Sequence, residues 1–187
     1  MTAQIESETY GKYSISELTA MAENGDLEAQ FELGITYENT KEYAQAFAWY
    51  SKAAKQGMAA AQCKLGNMYR DGLGIPQDYK LAFAWFSRAA ESGDVAAQYN
   101  LGLMYDDGEG LPQDVEAANG WFLKAAEQGD ADAQRIIGKA YFEVAECRRT
   151  VDQHQLVQYC DTPAHEVRIE FYTFDLFDLH LAIGDVC

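Results

Sequence analysis

Basic residues are scarce in this chain: 14 Lys and Arg stand against 30 Asp and Glu, a formal net charge of −16 over 187 residues. That balance argues against nucleic acid and anionic membrane as partners, because both carry the same sign. It admits a basic protein instead. No run of about 18 apolar residues could span a bilayer. The first residues, MTAQIESETYGKYS, have neither the basic start nor the apolar stretch of a secretory signal. A cytoplasmic protein is expected. Cysteine is sparse as well: Cys63, Cys147, Cys160 and Cys187 follow no common interval, which predicts reduced thiols rather than a disulfide framework.

Catalytic signatures are also missing. No glycine-rich loop has the form that cradles phosphate. Asp106, Asp107 and Glu109 lie together but lack the spaced oxygen ligands and final Glu of a calcium loop. Cys147, His154, Cys160 and His165 are zinc-type ligands without a zinc-type spacing. Asp175, Asp178 and His180 have no nucleophile beside them. No enzyme activity, metal or cofactor is expected.

What the chain has is repetition. Residues 59–94 read AAAQCKLGNMYRDGLGIPQDYKLAFAWFSRAAESGD, and residues 95–130 read VAAQYNLGLMYDDGEGLPQDVEAANGWFLKAAEQGD. Ala61/Ala97, Gln62/Gln98, Leu65/Leu101, Gly66/Gly102, Tyr69/Tyr105, Pro76/Pro112, Trp85/Trp121 and Gly93/Gly129 match at an offset of 36 residues. A fixed period of that size marks a repeat array.

Each copy predicts two helices. Ala97, Leu101 and Tyr105 recur at intervals of four and give one apolar face. Asp94 is the expected cap, and Gly108, Gly110 and Pro112 break the pattern. Asp114 opens a second helix with Ala118, Trp121, Phe122 and Ala125, which Gly129 ends. Gly66 and Gly102 fall in mid-helix, where glycine costs about 1 kcal/mol against alanine. Their recurrence predicts a close helix crossing.

The pattern A-x-x-Q-x-x-L-G-x-x-Y, D-G-x-G-[IL]-P-Q-D, W-F-x-[KR]-A-A-E-x-G resembles the Sel1-like repeat, a relative of the tetratricopeptide repeat, over about residues 27–146. The resemblance implies an all-α fold: an α/α superhelical solenoid of helix pairs, right-handed, with Trp49, Trp85 and Trp121 in one row. Some secreted members carry a disulfide in each repeat, a pattern this chain lacks.

Residues 1–13 are read as an N-terminal segment. Residues 14–26 form a half repeat opened by a Ser14/Glu17 capping box. Residues 27–58 form a first full repeat of 32 residues, in which ENTKEY replaces the longer loop. Its inter-helix turn should be tighter and its helices intact. Repeats 59–94 and 95–130 follow, then a final first helix at 131–146. Residues 147–187 leave the pattern. Val167, Ile169 and Phe171 alternate like a strand, whereas Tyr172, Leu176, Leu179 and Ile183 fit a helical face, so periodicity leaves a short strand and a helix both open for the tail. Its apolar content predicts that it docks on the last repeat as a cap.

In tetratricopeptide arrays the first helix of each repeat lines the concave face. Carried over, this implies a partner-binding surface of Glu28, Phe31, Ile35 and Glu38; Ala60, Cys63, Asn67, Arg70 and Asp71; Ala96, Tyr99, Leu103, Asp106 and Asp107; and Asp132, Arg135, Lys139 and Phe142. Phe31, Ile35, Tyr99 and Leu103 supply the apolar part, and Asn67, Arg70, Asp106, Arg135 and Lys139 the polar part. The alternative for the apolar four is packing inside a tight superhelix. The expected function is a non-enzymatic adaptor that holds a protein or peptide. The other reading is an acidic immunity-type protein that neutralises a basic toxin, a role small Sel1-like proteins also resemble.

Overall fold

An oxygen-bearing side chain starts six of the eight described helices. Ser14, Asp26, Asp78, Asp94, Asp114 and Asp130 each accept a backbone N–H from the first turn that follows. Each such cap satisfies a donor that the helix itself cannot, worth about 1 kcal/mol. The structure, a computed structural model, describes the backbone of residues 9–10 and 13–150 and the side chains of 13–142.

The helices are α1 (Ile15–Glu23), α2 (Leu27–Asn39), α3 (Tyr43–Lys55), α4 (Ala59–Asp71), α5 (Tyr79–Glu91), α6 (Val95–Asp107), α7 (Val115–Glu127) and α8 (Ala131–Thr150). They pack in sequence as antiparallel neighbours of an all-α repeat fold. Before them β1 (Thr9–Tyr10) and β2 (Tyr13–Ser14) form a two-strand antiparallel ladder, an element for which the sequence has no recognisable signal. No strand lies between residues 59 and 130. The Ser14 hydroxyl accepts the Glu17 N–H at 3.3 Å while the Glu17 carboxylate accepts the Ser14 N–H at 2.9 Å, so the expected capping box is present. Those bonds hold the Glu17 carboxyl below its ordinary range.

The core is a series of seams. Ala46, Tyr50, Ala53 and Ala54 of α3 meet Ala61, Leu65 and Met68 of α4. One repeat on, Ala82, Phe86, Ala89 and Ala90 of α5 meet Ala97, Leu101 and Met104 of α6. The same joint opens the array at α1–α2 and closes it at α7–α8. Each seam buries the second helix of one repeat against the first helix of the next, so stability is nearest-neighbour in character. Trp49, Trp85 and Trp121 take equivalent places, each packed against the seam before its own. Lys52, Arg88 and Lys124, three residues on, cover the rings with the cation 3.6, 4.9 and 3.8 Å from the ring centroid.

The short first repeat keeps both its helices at 13 residues and loses only loop. Residues 40–42 make the turn, with Lys41 at φ 62°. That conformation costs a residue with a Cβ roughly 1–2 kcal/mol. The Glu42 N–H donating to the Tyr37 carbonyl at 2.8 Å closes the turn. In the longer repeats Gly74 and Gly110 are held against the repeat before. A Cβ on Gly74 would lie 2.7 Å from the Tyr43 carbonyl carbon, and one on Gly110 would lie 2.5 Å from Tyr79 Cβ. The D-G-x-G turn is therefore an inter-repeat joint as well as a connector.

The glutamine of the A-x-x-Q motif pins each seam. Gln30, Gln62, Gln98 and Gln134 donate Nε2 to the carbonyls of Ala22, Ala54, Ala90 and Ala126 at 3.0–3.2 Å. Gln56 and Gln128 then donate to the Oε1 atoms of Gln30 and Gln98, both at 2.8 Å. The equivalent position in the middle repeat is Ser92, which instead donates to its own helix at Arg88. Gln62 Oε1 is consequently buried with no hydrogen-bond partner among the described residues. Ser92→Gln is expected to supply the missing donor and to stabilise the fold by about 1 kcal/mol. Thermal unfolding reads this out; an unchanged or lower midpoint would show that the glutamine pair adds nothing to the seam.

Helix α8 runs beyond the Cys147 at which the sequence pattern ends. Gly72 and Gly108 stop α4 and α6, while the equivalent residue in α8 is Val144. The possible strand at 167–171, the proposed capping tail, the zinc-type set at Cys147, His154, Cys160 and His165, and Asp175, Asp178 and His180 all fall outside the residues whose side chains are described.

Candidate functional site

The first helices α2, α4, α6 and α8 carry the expected binding positions, and the seams decide how far each side chain stands clear. Phe31 and Tyr99 are half-buried. The Phe31 ring lies 5.6 Å from Tyr50 and the Tyr99 ring 5.7 Å from Phe122, centroid to centroid. Ile35 packs on the α3–α4 seam and Leu103 on the α7–α8 seam. All four apolar positions thus belong partly to the packing. Asn67 and Arg70 are half-buried, whereas Asp106, Arg135 and Lys139 are exposed.

The structure links successive first helices through polar side chains. Lys64 of α4 reaches Glu38 of α2 at 2.9 Å. The Tyr50 hydroxyl donates to the same Glu38 carboxylate at 2.5 Å. Burial, then Glu38 itself, pushes the Tyr50 phenol far above its ordinary range, so it stays a donor. Arg70 donates to Asp71 at 2.9 Å and, across to α6, to Asn100 at 2.7 Å. Its guanidinium lies 5.8 Å from the Phe86 ring centroid. Position 63 is equivalent to Phe31 and Tyr99 but holds a cysteine, so the Arg70 side chain covers a ring that an aromatic covers elsewhere. Lys64 and Asn100 were not among the expected site residues, and neither stands at a position with a periodic signal.

Burial pushes the Cys63 thiol up to about 12, and the neighbouring Asp94 carboxylate, which also caps α6, adds to the shift. A thiol so protonated and enclosed is a poor nucleophile. Among the described residues no group of three or more His, Cys, Asp or Glu side chains could hold a metal ion. None of the described helices is long and apolar enough to cross a membrane.

Charge on this side of the array is uneven. Lys64, Arg70 and Arg135 each rest on an acidic neighbour: Glu38, Asp71 and Asp132. Glu28, Asp106 and Asp107 remain exposed. The arrangement offers carboxylates around half-buried apolar side chains.

Comparison with known proteins agrees with this geometry. The Sel1 repeat model matches residues 27–58, 59–94 and 95–130. A Sel1 repeat protein from Oxalobacter formigenes is similar at 38% identity and a TM-score of 0.61, over 67% of this chain and 97% of that one. A protective antigen of uropathogenic Escherichia coli with an SLR fold is similar at 41% identity and a TM-score of 0.68, over 71% of this chain and 29% of that one. Helicobacter pylori cysteine rich protein B shares the fold at 22% identity and a TM-score of 0.53, over 68% of this chain and 99% of that one. No curated protein matches the chain.

Proposed function

Because the chain belongs to the Sel1 repeat family, whose members generally act as protein–protein interaction scaffolds, we propose that it is a non-enzymatic adaptor holding a basic segment of a protein partner against α2, α4, α6 and α8. The observation that carries this reading is the charge of that face. Three of its cations, Lys64, Arg70 and Arg135, are engaged with carboxylates of the array, while Glu28, Asp106 and Asp107 face solvent alongside Lys139. Half-buried Phe31, Ile35, Tyr99 and Leu103 leave apolar edges between these charges, with Asn67, Arg70, Asp106, Arg135 and Lys139 around them. Complementary charge governs encounter and register, and the apolar edges add affinity.

Photo-crosslinking side chains placed at Asn67, Asp106 and Lys139 test the face, with Lys80 and Val115 on the second helices as controls. The expected result is one partner captured from the first three positions and not from the controls, at a yield that falls as salt rises. Equal capture from both sets would move the site off the first helices.

The net charge of −16 over the whole chain favours a second reading, an immunity-type inhibitor of a basic toxin. In that case the captured partner would itself be an enzyme, and a stoichiometric amount of this protein would silence it. A partner whose own activity is untouched leaves the adaptor reading.

A further inference from the structure

Helix α4 interrupts the apolar stripe of the first helices. Phe31 and Ile35 of α2 align with Tyr99 and Leu103 of α6, and the equivalent pair on α4 is Cys63 and Asn67. The next turn of α4 holds Arg70, where α2 has Glu38 and α6 has Asp106. Cys63 is 5% exposed and brings no ring to the surface. Asn67 and Arg70 are half-buried, three residues apart on one face of the helix. Arg70 is held from two sides: Nε donates to Asp71 at 2.9 Å and Nη1 to Asn100 of α6 at 2.7 Å. A guanidinium carries five N–H donors, so some remain for a partner. The Asn67 carboxamide has no hydrogen-bond partner among the described residues.

Such a pair favours a neutral hydrogen-bonding group. Asp71 already balances the guanidinium, so a second carboxylate gains little, and a lysine would meet like charge. A side-chain carboxamide fits both residues. Its oxygen accepts from Arg70, and its NH2 donates to the Asn67 oxygen. Spacing sets the rest. The Lys64–Glu38 and Arg70–Asn100 contacts place α2, α4 and α6 side by side, and packed helices lie about 8–10 Å apart. An extended polyproline II chain returns to one face every three residues or so, about 9 Å along its axis. An α-helix returns after about 5.4 or about 11 Å and misses that step. Resting on the adaptor reading, we propose that the basic partner segment is extended across these helices. It presents an apolar side chain to Phe31 and Ile35, a glutamine or asparagine to Asn67 and Arg70, and a second apolar side chain to Tyr99 and Leu103, at intervals of about three residues. Its basic residues stand between these and answer Glu28, Asp106 and Asp107.

Fluorescence anisotropy of labelled peptides on the full chain tests this. A Leu-Lys-Lys-Gln-Lys-Lys-Leu peptide is expected to bind at least about tenfold more tightly than the same peptide with lysine or leucine at its centre, the scale of one or two hydrogen bonds. Adding or removing one lysine beside the glutamine should weaken binding by a similar factor. Asn67→Leu introduces the residue that α6 carries at Leu103, so the fold should accept it. In that variant the preference should reverse in favour of the leucine-centred peptide. Equal affinity for the three centres, indifference to spacing, no binding by the glutamine-centred peptide, or a preference that survives Asn67→Leu would overturn the proposal. A basic partner still crosslinked at Asp106 and Lys139 in any of those cases would leave the adaptor reading intact and remove only the motif.

Discussion

Gly102→Leu is expected to destabilise the protein by at least about 3 kcal/mol, the upper end of the usual overpacking range. A Cβ at this position would lie 2.6 Å from Phe122 Cε1 and 2.7 Å from Cδ1, and leucine adds three more carbons in the same direction. The ring cannot give way. Phe122 is 2% exposed and is enclosed by Ala118, Ala125 and Ala133, none of which has slack to take up a shift. Helices α6 and α7 must therefore separate, and their separation opens the seam to α8. Gly120 in α7 is the control. It is also a mid-helix glycine, yet it is exposed and has nothing within 4 Å of its Cβ direction among the described residues. Gly120→Ala is expected to stabilise by about 1 kcal/mol, as alanine at Ala48 and Ala84 does in the other repeats. Urea unfolding of both variants decides the matter. Opposite signs support a contact glycine at 102, whereas equal small shifts would show that Gly102 is tolerated for its helix conformation alone.

Gly102 was legible in the sequence because it contradicts helix propensity and does so at a fixed interval. The same logic exposed Asp94 and Asp114 as caps, since an aspartate before an apolar run has one inexpensive explanation. The shortened turn of the first repeat was legible from a missing stretch of motif. Other features depend on which side chains meet across a seam, and a period alone does not show that. Gln62 repeats faithfully, but its buried oxygen is orphaned because Ser92 breaks the pattern elsewhere. Gly74 and Gly110 read as chain breakers, and only the stacking of repeats shows Tyr43 and Tyr79 behind them. The binding face was the least legible part. Phe31, Ile35, Tyr99 and Leu103 share one side of their helices, and that spacing does not reveal how much of each side chain the following helix covers. The extension of α8 to Thr150 follows from the absence of a glycine at Val144, a signal that is weak until earlier copies are aligned with it.

Removing Tyr99 and Leu103 together is accordingly expected to damage the fold as well as any interface. On a bare surface the double truncation would leave helical content unchanged. Here both side chains pack on the α7–α8 seam with Phe122, Ala118, Ala125 and Ala133. Full burial of a large aromatic and of a leucine would make Tyr99→Ala and Leu103→Ala cost about 3–5 and 2–5 kcal/mol. Both residues are half-exposed, so roughly half of each figure applies, and the pair should lose about 2.5–5 kcal/mol. The loss should appear first in α7 and α8, because each seam is held by its immediate neighbours. Hydrogen exchange resolved by residue would show those two helices open while α2 to α5 stay protected. An unchanged unfolding midpoint would place both side chains on the surface after all and restore them as clean probes of binding. Asp106→Arg separates the two effects. Its side chain is exposed and lies in the last turn of α6, where a cation suits the helix dipole, so stability should change by less than about 0.5 kcal/mol. If a basic segment docks on this face, the substitution slows association several-fold at low salt and the difference fades as salt rises. An association rate indifferent to Asp106→Arg across the salt series would remove charge from the recognition and leave the apolar edges to carry it.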